Sequence, residues 1–346
     1  MTSRTTLAAV ARQTGVSLAT VSKVLNGRDG VSAATRQRVG ESIRTLGYRP
    51  TTARADLPGV GVRRVNAVFT ATDGTMYVPQ LLNSLLVTAS RFRLDLVTRL
   101  YNPPDTEDDL GTWARFLLGG GCQGAIFVAT VLTPAQILAC ERVGLPIVTI
   151  DCYSSTGVSN DLISVGVNNF AGGYSAVQHV LALGHRVIGL IRGPETADFA
   201  RERAYGCLAA LSAAGVTLPE DRLIVTSFDH PGGLDAGRTL LRQPDRPTAI
   251  VTHCDAAAMG VMEAARELRL RVPDDLSIVG FDDTKLALWS TPQLTTVNQP
   301  LSDIARVALR TMAHLLSGQE PDTRHVQLAT KLVVRGSTGP VPAGRR

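Results

Sequence analysis

The chain has 346 residues, 44% hydrophobic and 19% charged. It contains no run of about 18 apolar residues and no apolar leader ahead of a small-residue cleavage site. These features argue against a membrane-spanning or secreted protein and predict a soluble, cytoplasmic chain of two or three domains. Five scattered cysteines, Cys122, Cys140, Cys152, Cys207 and Cys254, form no CxxC pair, as expected of free thiols in a reducing compartment. Charge is concentrated at one end: residues 1–56 carry nine Lys/Arg against three acids, net +6, and the remainder sums to −1. A basic head on a near-neutral body predicts a polyanionic partner at the N-terminal end.

Within the head, Leu7, Val10 and Ala11 have helical spacing, Thr6 can cap that helix, and Gly15 follows it as the residue best able to take a positive φ. Ser17 can cap a second helix from Leu18 to about Leu25, with Val21, Val24 and Leu25 on one face and Asn26-Gly27 closing it. Ser32 can cap a third, Ala33–Leu46, whose Val39, Ile43 and Leu46 complete a small core before Gly47 and Pro50 stop it. Helix, glycine turn, helix is the helix-turn-helix arrangement. The plain alternative is three helices of an ordinary helical domain. It does not account for the coincidence of glycine turn, caps and local charge.

In a helix-turn-helix the second helix enters the major groove with its N-terminal residues at base edges. Leu18, Ala19 and Lys23 would face the groove. Lys23 can donate to guanine, whereas Leu18 and Ala19 can make only apolar contact, best with a thymine methyl. Thr20, Ser22, Thr35 and Arg36 are phosphate-contact candidates. Thr6, Ser17, Asn26, Tyr48 and Arg54 complete the expected DNA-contacting set. Residues 51–57, followed by Pro58-Gly59, span under two helical turns and are too short for a helix stable on its own.

From Val65 onward, short apolar runs alternate with amphipathic stretches. Strands are expected at Val65–Thr70, Asp95–Arg99, Ala125–Val128, Ile147–Ile150, Leu162–Val167, Val187–Ile191, Leu223–Thr226, Ala249–Thr252, Ser277–Phe281 and Val326–Leu332. Helical patterns between them include Gln80–Arg91, Ala171–Leu183, Ala204–Ala214 and Ala256–Leu270. Such alternation argues for parallel sheets covered on both faces, and the length favours two lobes over one sheet. The first strand-to-helix turn, Ala71–Tyr77, has no GxGxxG, and GxxxxGK[ST], HExxH and GxSxG are absent. His179, His185, His253, His314 and His325 show no metal-ligand spacing and read as surface or capping residues. Neither enzyme chemistry nor a cofactor nor a metal is expected.

The head resembles that of the LacI/GalR family nearly position for position. The resemblance runs through Leu7–Ala11, Gly15-Val16-Ser17-Leu18-Ala19-Thr20-Val21-Ser22-Lys23-Val24-Leu25-Asn26-Gly27, Val31–Arg36 and Leu46-Gly47-Tyr48-Arg49-Pro50. It implies that Leu18, Ala19 and Lys23 read bases. It also implies that residues 51–57 become helical on DNA, with Leu57 wedged into the minor groove. Here the hinge reads Arg54-Ala55 where the family usually has Ala-Arg, and Pro58 follows the wedge.

Further stretches resemble the family's effector domain, which is similar to periplasmic sugar-binding proteins: Val167-Asn168-Asn169, Leu183–Gly189, Ala200–Gly206, Val279-Gly280-Phe281-Asp282-Asp283 and Leu294–Pro300. The implied organisation is a head at 1–50, a hinge at 51–64, an effector and dimerisation domain at 65–336 and a flexible tail at 337–346. Lobe 1 would take about 65–166 and 300–327, and lobe 2 about 167–299 and 328–336, with three chain crossings and a ligand cleft at the C-terminal ends of strands. Asp151 and Asp282 each end a buried strand, and a carboxylate with the Arg203 guanidinium can bracket vicinal hydroxyls. Phe228 matches an aromatic stacking position, Tyr77 and Met76 fall in the first-lobe loop, and Gln299 closes the effector set. Cys254 stands where many relatives have a ligand-binding asparagine, which points to an effector poorer in hydroxyls than a common hexose.

The function implied is a sequence-specific regulator, a repressor, that binds a pseudo-palindromic double-stranded DNA operator as a homodimer under control of a small-molecule effector. Three alternatives stay open at this point: a solute-binding protein, an enzyme with a Rossmann-like cleft, and a regulator whose body only dimerises.

Overall fold

A computed structural model of the chain describes residues 7–17, 20–21, 24, 31–45, 62–70, 75–104, 106–151, 153–154 and 162–343. The chain divides into two compact units, Met1–Val62 and Arg63–Arg346.

In the first unit, α1 (Leu7–Thr14) and α2 (Ala33–Thr45) share a core of Val10, Ala11, Val21 and Val39, all buried. Gly15 takes φ +65°, the left-handed conformation that ends α1. The Ser17 hydroxyl accepts from the Thr20 amide at 3.1 Å, and the Ser32 hydroxyl from the Thr35 amide at 3.3 Å, so both serine caps form. Ser42, which the hydrophobic pattern does not single out, is buried and donates to Gln13 Oε1 at 3.0 Å. The Ile43 side chain, Leu25, Leu46 and residues 51–61 of the hinge lie outside the described residues.

The second unit holds two six-stranded sheets. Its first stretch runs β1 (Arg63–Phe69), α3 (Tyr77–Ala89), β2 (Leu94–Leu100), α4 (Leu110–Leu118), β3 (Cys122–Val128), β4 (Val131–Leu132), α5 (Pro134–Arg142), β5 (Ile147–Ile150), β6 (Tyr153–Ser154) and β7 (Ser164–Val167). Then come α6 (Asn169–Ala182), β8 (Ile188–Arg192), α7 (Asp198–Ala213), β9 (Leu223–Val225), α8 (His230–Leu241), β10 (Ala249–Thr252), α9 (Asp255–Glu267), β11 (Ser277–Asp282), α10 (Lys285–Trp289) and β12 (Thr295–Asn298). The last elements are α11 (Leu301–Leu316), β13 (His325–Leu328) and β14 (Lys331–Val333).

The first sheet has the order β13-β7-β5-β3-β1-β2 and the second β14-β12-β11-β10-β8-β9; only β14 runs antiparallel to its neighbour. The chain therefore passes between lobes three times, after β7, after β12 and after β13. Every residue of β10 and β11 is buried, because helices cover both faces of a parallel sheet and an unbroken apolar run is the pattern that fits. By contrast α11 presents a stripe, Ile304, Ala305, Ala308, Leu309 and Met312, to the first-lobe core and leaves its other side to solvent.

Two expectations need correction. The single strand expected at Val326–Leu332 is two strands, β13 and β14, in different sheets, because the last crossing falls between them. The expected loose tail is docked as far as Val341. Ser337 is fully buried and bonded to the Thr295 amide and Ile278 carbonyl, Gly339 bonds Ser277 and His185, and the Val341 amide donates to Leu183 O. Backbone pairing along the bottom of the second sheet holds it there, a contact that polar composition does not reveal. β12 is also absent from the expected strands; its burial comes from sheet position, not from a long apolar run.

Candidate DNA-reading head and ligand cleft

Of the expected DNA-contacting residues, Ser17, Thr20, Thr35 and Arg36 are described. Ser17 and Thr20 sit at the start of the second helical segment, their hydroxyls 2.9 Å apart, and Thr35 and Arg36 occupy the first turn of α2. Ser32 and Thr35 repeat the same hydroxyl pairing at 2.9 Å. Hydroxyls at two helix N-termini suit phosphate oxygens. Thr6, Leu18, Ala19, Ser22, Lys23, Asn26, Tyr48, Arg54 and Leu57 lie outside the described residues.

In the body, all seven expected effector residues, Tyr77, Asp151, Arg203, Phe228, Cys254, Asp282 and Gln299, line one cavity of about 400 Å³ between the lobes. Met76 does not; it borders a neighbouring groove. The cavity also takes in Thr70, Thr75, Tyr101, Phe199, Ser227 and Asp229, which no motif flagged. Tyr77 begins α3 instead of lying in a loop, and Arg203 lies in the second turn of a helix that starts at Asp198.

Backbone strain is concentrated here. Among the described residues, Ala129, Asp151 and Asp282 have φ of +48°, +46° and +107°, each at the C-terminal end of a strand and each lining the cavity. Non-glycine residues rarely adopt this region, and the surrounding sheets must hold them in it. Asp283 continues the bend at φ +54° and is pinned by Arg335 at 2.6 Å and Asn298 at 3.0 Å.

Arg203 is 5% exposed and held from every side. Its Nε donates to Asn169 Oδ1 at 2.9 Å, and Nη1 donates to His253 O at 2.7 Å and to Asp282 Oδ1 at 3.3 Å. Its Cζ lies over the rings of Phe281, 3.7 Å from the centroid, and Phe199, 4.9 Å. The close approach of α6 and α7 that allows this needs Gly173, where a Cβ would fall 2.1 Å from the Arg203 carbonyl oxygen. Gln299 Nε2 donates to Asp282 Oδ1 at 2.6 Å.

Burial pushes Asp282 up to about 6, against the opposing pull of Arg203 and Gln299. Behind it Asp255 is fully buried and accepts from the Thr284 amide and hydroxyl and the Thr296 hydroxyl, at 2.6, 2.8 and 2.6 Å; burial and the Asp282 charge push it up to about 8. On the first lobe the Tyr77 hydroxyl donates to Asp151 Oδ2, and burial raises the pKa of both groups. Cys254 Sγ accepts from the Ala257 amide at 3.4 Å as the cap of α9, and burial raises its pKa well above the usual thiol range.

The histidines correct the surface reading. His185 is fully buried and bonded to Thr248, Ser277 and Gly339. His253 is buried edge-on to Phe228, centroids 4.9 Å apart, and burial, with the Arg203 charge adding, pushes it down to about 4. Among the described residues no cluster of His, Cys, Asp or Glu could hold a metal, and no helix is long and apolar enough to cross a membrane.

This arrangement agrees with what the chain is similar to. Residues 6–51 match the bacterial regulatory proteins of the lacI family, and residues 177–338 match the periplasmic binding protein-like domain. Catabolite control protein A of Priestia megaterium is 30% identical over 95% of this chain and 98% of its own. The chain belongs to the LacI family. The ribose operon repressor of Escherichia coli K12 is 32% identical, covering 96% and 99%. A lac repressor dimer bound to operator and the anti-inducer ONPF superposes with a TM-score of 0.77 at 27% identity, covering 97% of this chain and all of that one. This LacI-family member is thus a DNA-binding transcription regulator and not an enzyme, with a helix-turn-helix head and a body of the periplasmic-binding-protein type.

Proposed function

We propose that this regulator is a cytoplasmic, homodimeric repressor whose affinity for a pseudo-palindromic operator is set by a small molecule bound in the cleft between its lobes. The observation that carries the reading is the meeting of Tyr77, Asp151, Arg203, Phe228, Cys254, Asp282 and Gln299 around one cavity, with residues of both lobes among them. A ligand seated there touches Asp151 from the first lobe and Asp282 and Arg203 from the second. It therefore binds one interlobe geometry better than another, and only that difference can be passed on as a change in operator affinity.

At the other end of the chain, Leu18, Ala19 and Lys23 read base edges, Thr20, Ser22, Thr35 and Arg36 hold phosphates, Thr6, Ser17, Asn26, Tyr48 and Arg54 complete the DNA contact, and Leu57 is the minor-groove wedge. The names of relatives support a repressor that answers to a metabolite: one is a ribose operon repressor and another is a lac repressor carrying an anti-inducer. Selection of bound fragments from random duplex DNA at physiological salt tests the reading. A palindromic consensus with steep salt dependence is expected; enrichment of no sequence would contradict it. Within the selected site, Lys23→Ala should change base preference at one position of each half, whereas uniform weakening would make Lys23 a phosphate contact.

A further inference from the structure

Arg203 and Asp282 are fixed by hydrogen bonds, but the aromatic wall beside them is fastened in another way. Phe228 stands on the segment that joins β9 to α8. One end of that segment is anchored by the Thr226 amide, which donates to Arg192 O at 2.9 Å. The other is anchored by Asp229, whose Oδ1 accepts from the Gly232 amide at 2.8 Å. Between these anchors, among the described residues, the main chain of Ser227 and Phe228 meets a hydrogen-bonding partner at one atom. That atom is Ser227 O, 3.1 Å from His253 Nε2. The Phe228 ring lies against the same imidazole, centroids 4.9 Å apart, and over Gly193, where a Cβ would fall 2.7 Å from its Cζ. The cavity is the side left open to it.

The imidazole has a second acceptor in reach. His253 Nδ1 lies 3.2 Å from Ile191 O, at the end of the β8–β10 ladder, where Ile191 pairs with Thr252. Carbonyl oxygens only accept, and a neutral imidazole carries a single N–H. At any moment, therefore, one contact is a hydrogen bond and the other sets a bare nitrogen against an oxygen. A second proton would satisfy both carbonyls, but the ring is 3% exposed. Burial, with the Arg203 charge from α7 adding to it, outweighs the opposite pull of Asp229 and pushes the ring down to about 4, so it is neutral near pH 7. Both partners are main-chain carbonyls at nearly equal distances. Neither tautomer then outweighs the other by more than the worth of one neutral hydrogen bond, roughly tenfold in population.

We propose that His253 is a two-state positioning residue of the effector site. With its proton on Nε2 it fastens the Phe228 wall to the sheet; with its proton on Nδ1 it holds Ile191 and releases that wall toward the ligand. The proposal deepens the reading of the cavity as the effector site and rests on it. In either state the His253 carbonyl accepts from Arg203 Nη1 at 2.7 Å, so the polar cluster stays in place while the wall moves.

Nitrogen-15 imidazole spectra of the full, ligand-free chain at pH 7 test the tautomer pair, with the His253 signals assigned by their loss in His253→Asn. Both ring nitrogens should resonate between the positions of a protonated and a bare nitrogen, because the two tautomers interconvert. A single locked tautomer, or an imidazolium, overturns the proposal. Hydrogen exchange at the Phe228 and Asp229 amides tests the wall, in variants whose melting curves establish folding. His253→Asn keeps a donor at the place of Nδ1 and loses the reach to Ser227, so exchange should quicken by about fivefold, as for one lost hydrogen bond. His253→Gln restores a donor at the place of Nε2 and should return exchange to the wild-type rate or below. Equal exchange in the two variants overturns the proposal. None of these readouts uses a ligand. A tautomer pair that passes them while no cleft ligand alters operator affinity keeps the clasp and overturns the effector reading beneath it.

Discussion

The two walls of the cleft are built differently. On the second lobe, Arg203, Asp282 and Gln299 are joined by hydrogen bonds of 2.6–3.3 Å, Asp255 behind them is held by Thr284 and Thr296, and the guanidinium lies over two aromatic rings. On the first lobe, among the described residues, the corresponding polar feature is the phenol–carboxyl pair of Tyr77 with Asp151. Preorganisation on one side means that side fixes how a ligand lies. A sparser partner on the other side means that its engagement registers whether the lobes have closed.

The strongest way to break this comparison is to damage the wired side. Arg203→Ala leaves the buried Asp282 uncompensated and should cost about 3–5 kcal/mol of stability in urea unfolding. Arg203 therefore supports the lobe as well as the cleft, and the alanine variant is a poor probe of ligand binding alone. Tyr77→Phe should cost less, about 1.5–3 kcal/mol for one bond to a carboxyl group. Equal losses from the two variants would erase the distinction between the walls.

A pH series sharpens it further. Asp282 must be ionised for both its oxygens to accept, and its folded pKa is raised to about 6. Ligand affinity should therefore fall as pH drops through about 6, and Asp282→Asn should flatten the profile. The effect on folding has the opposite sign. A carboxyl raised above its unfolded value binds its proton more tightly when folded, so its contribution to stability declines as pH rises from about 4 through about 6. A flat wild-type binding profile would exclude Asp282 as the acceptor. The smallest effect expected is from Cys254→Asn. Asparagine is among the best helix caps, so the melting temperature should hold or rise by the equivalent of up to about 1 kcal/mol; a clear loss would mean that the thiol packs instead of capping.

The same contrast explains what could be read from the sequence. Asp282 and Arg203 sit in short stretches, Val279–Asp283 and Ala200–Gly206, that resemble the family's effector domain, and the resemblance made them legible although the positive φ of Asp282 is not what its residue type predicts. In the described part of the head the Ser17 and Ser32 caps and the positive φ at Gly15 were legible, because these contacts are between residues close in sequence. Tyr101, Phe199 and Asp229 were not legible: they come to the cavity from three separate segments, and only the packing of the two sheets brings them together. The split of Val326–Leu332 and the docking of Ser337–Val341 were hidden for a related reason. The split depends on which sheet edges are free to pair and the docking on the strand ends at the bottom of the second sheet, both properties of the assembled fold and not of the segment.

Affinity for the selected operator, measured by fluorescence anisotropy with and without a cleft ligand, in the wild type and in Asp282→Asn, bears most directly on the central claim. The ligand should shift wild-type affinity by about 5–150-fold and leave the folded variant unmoved. Equal responses in the two proteins, or tight operator binding that no cleft ligand alters, would contradict control of the DNA-reading head by the cleft.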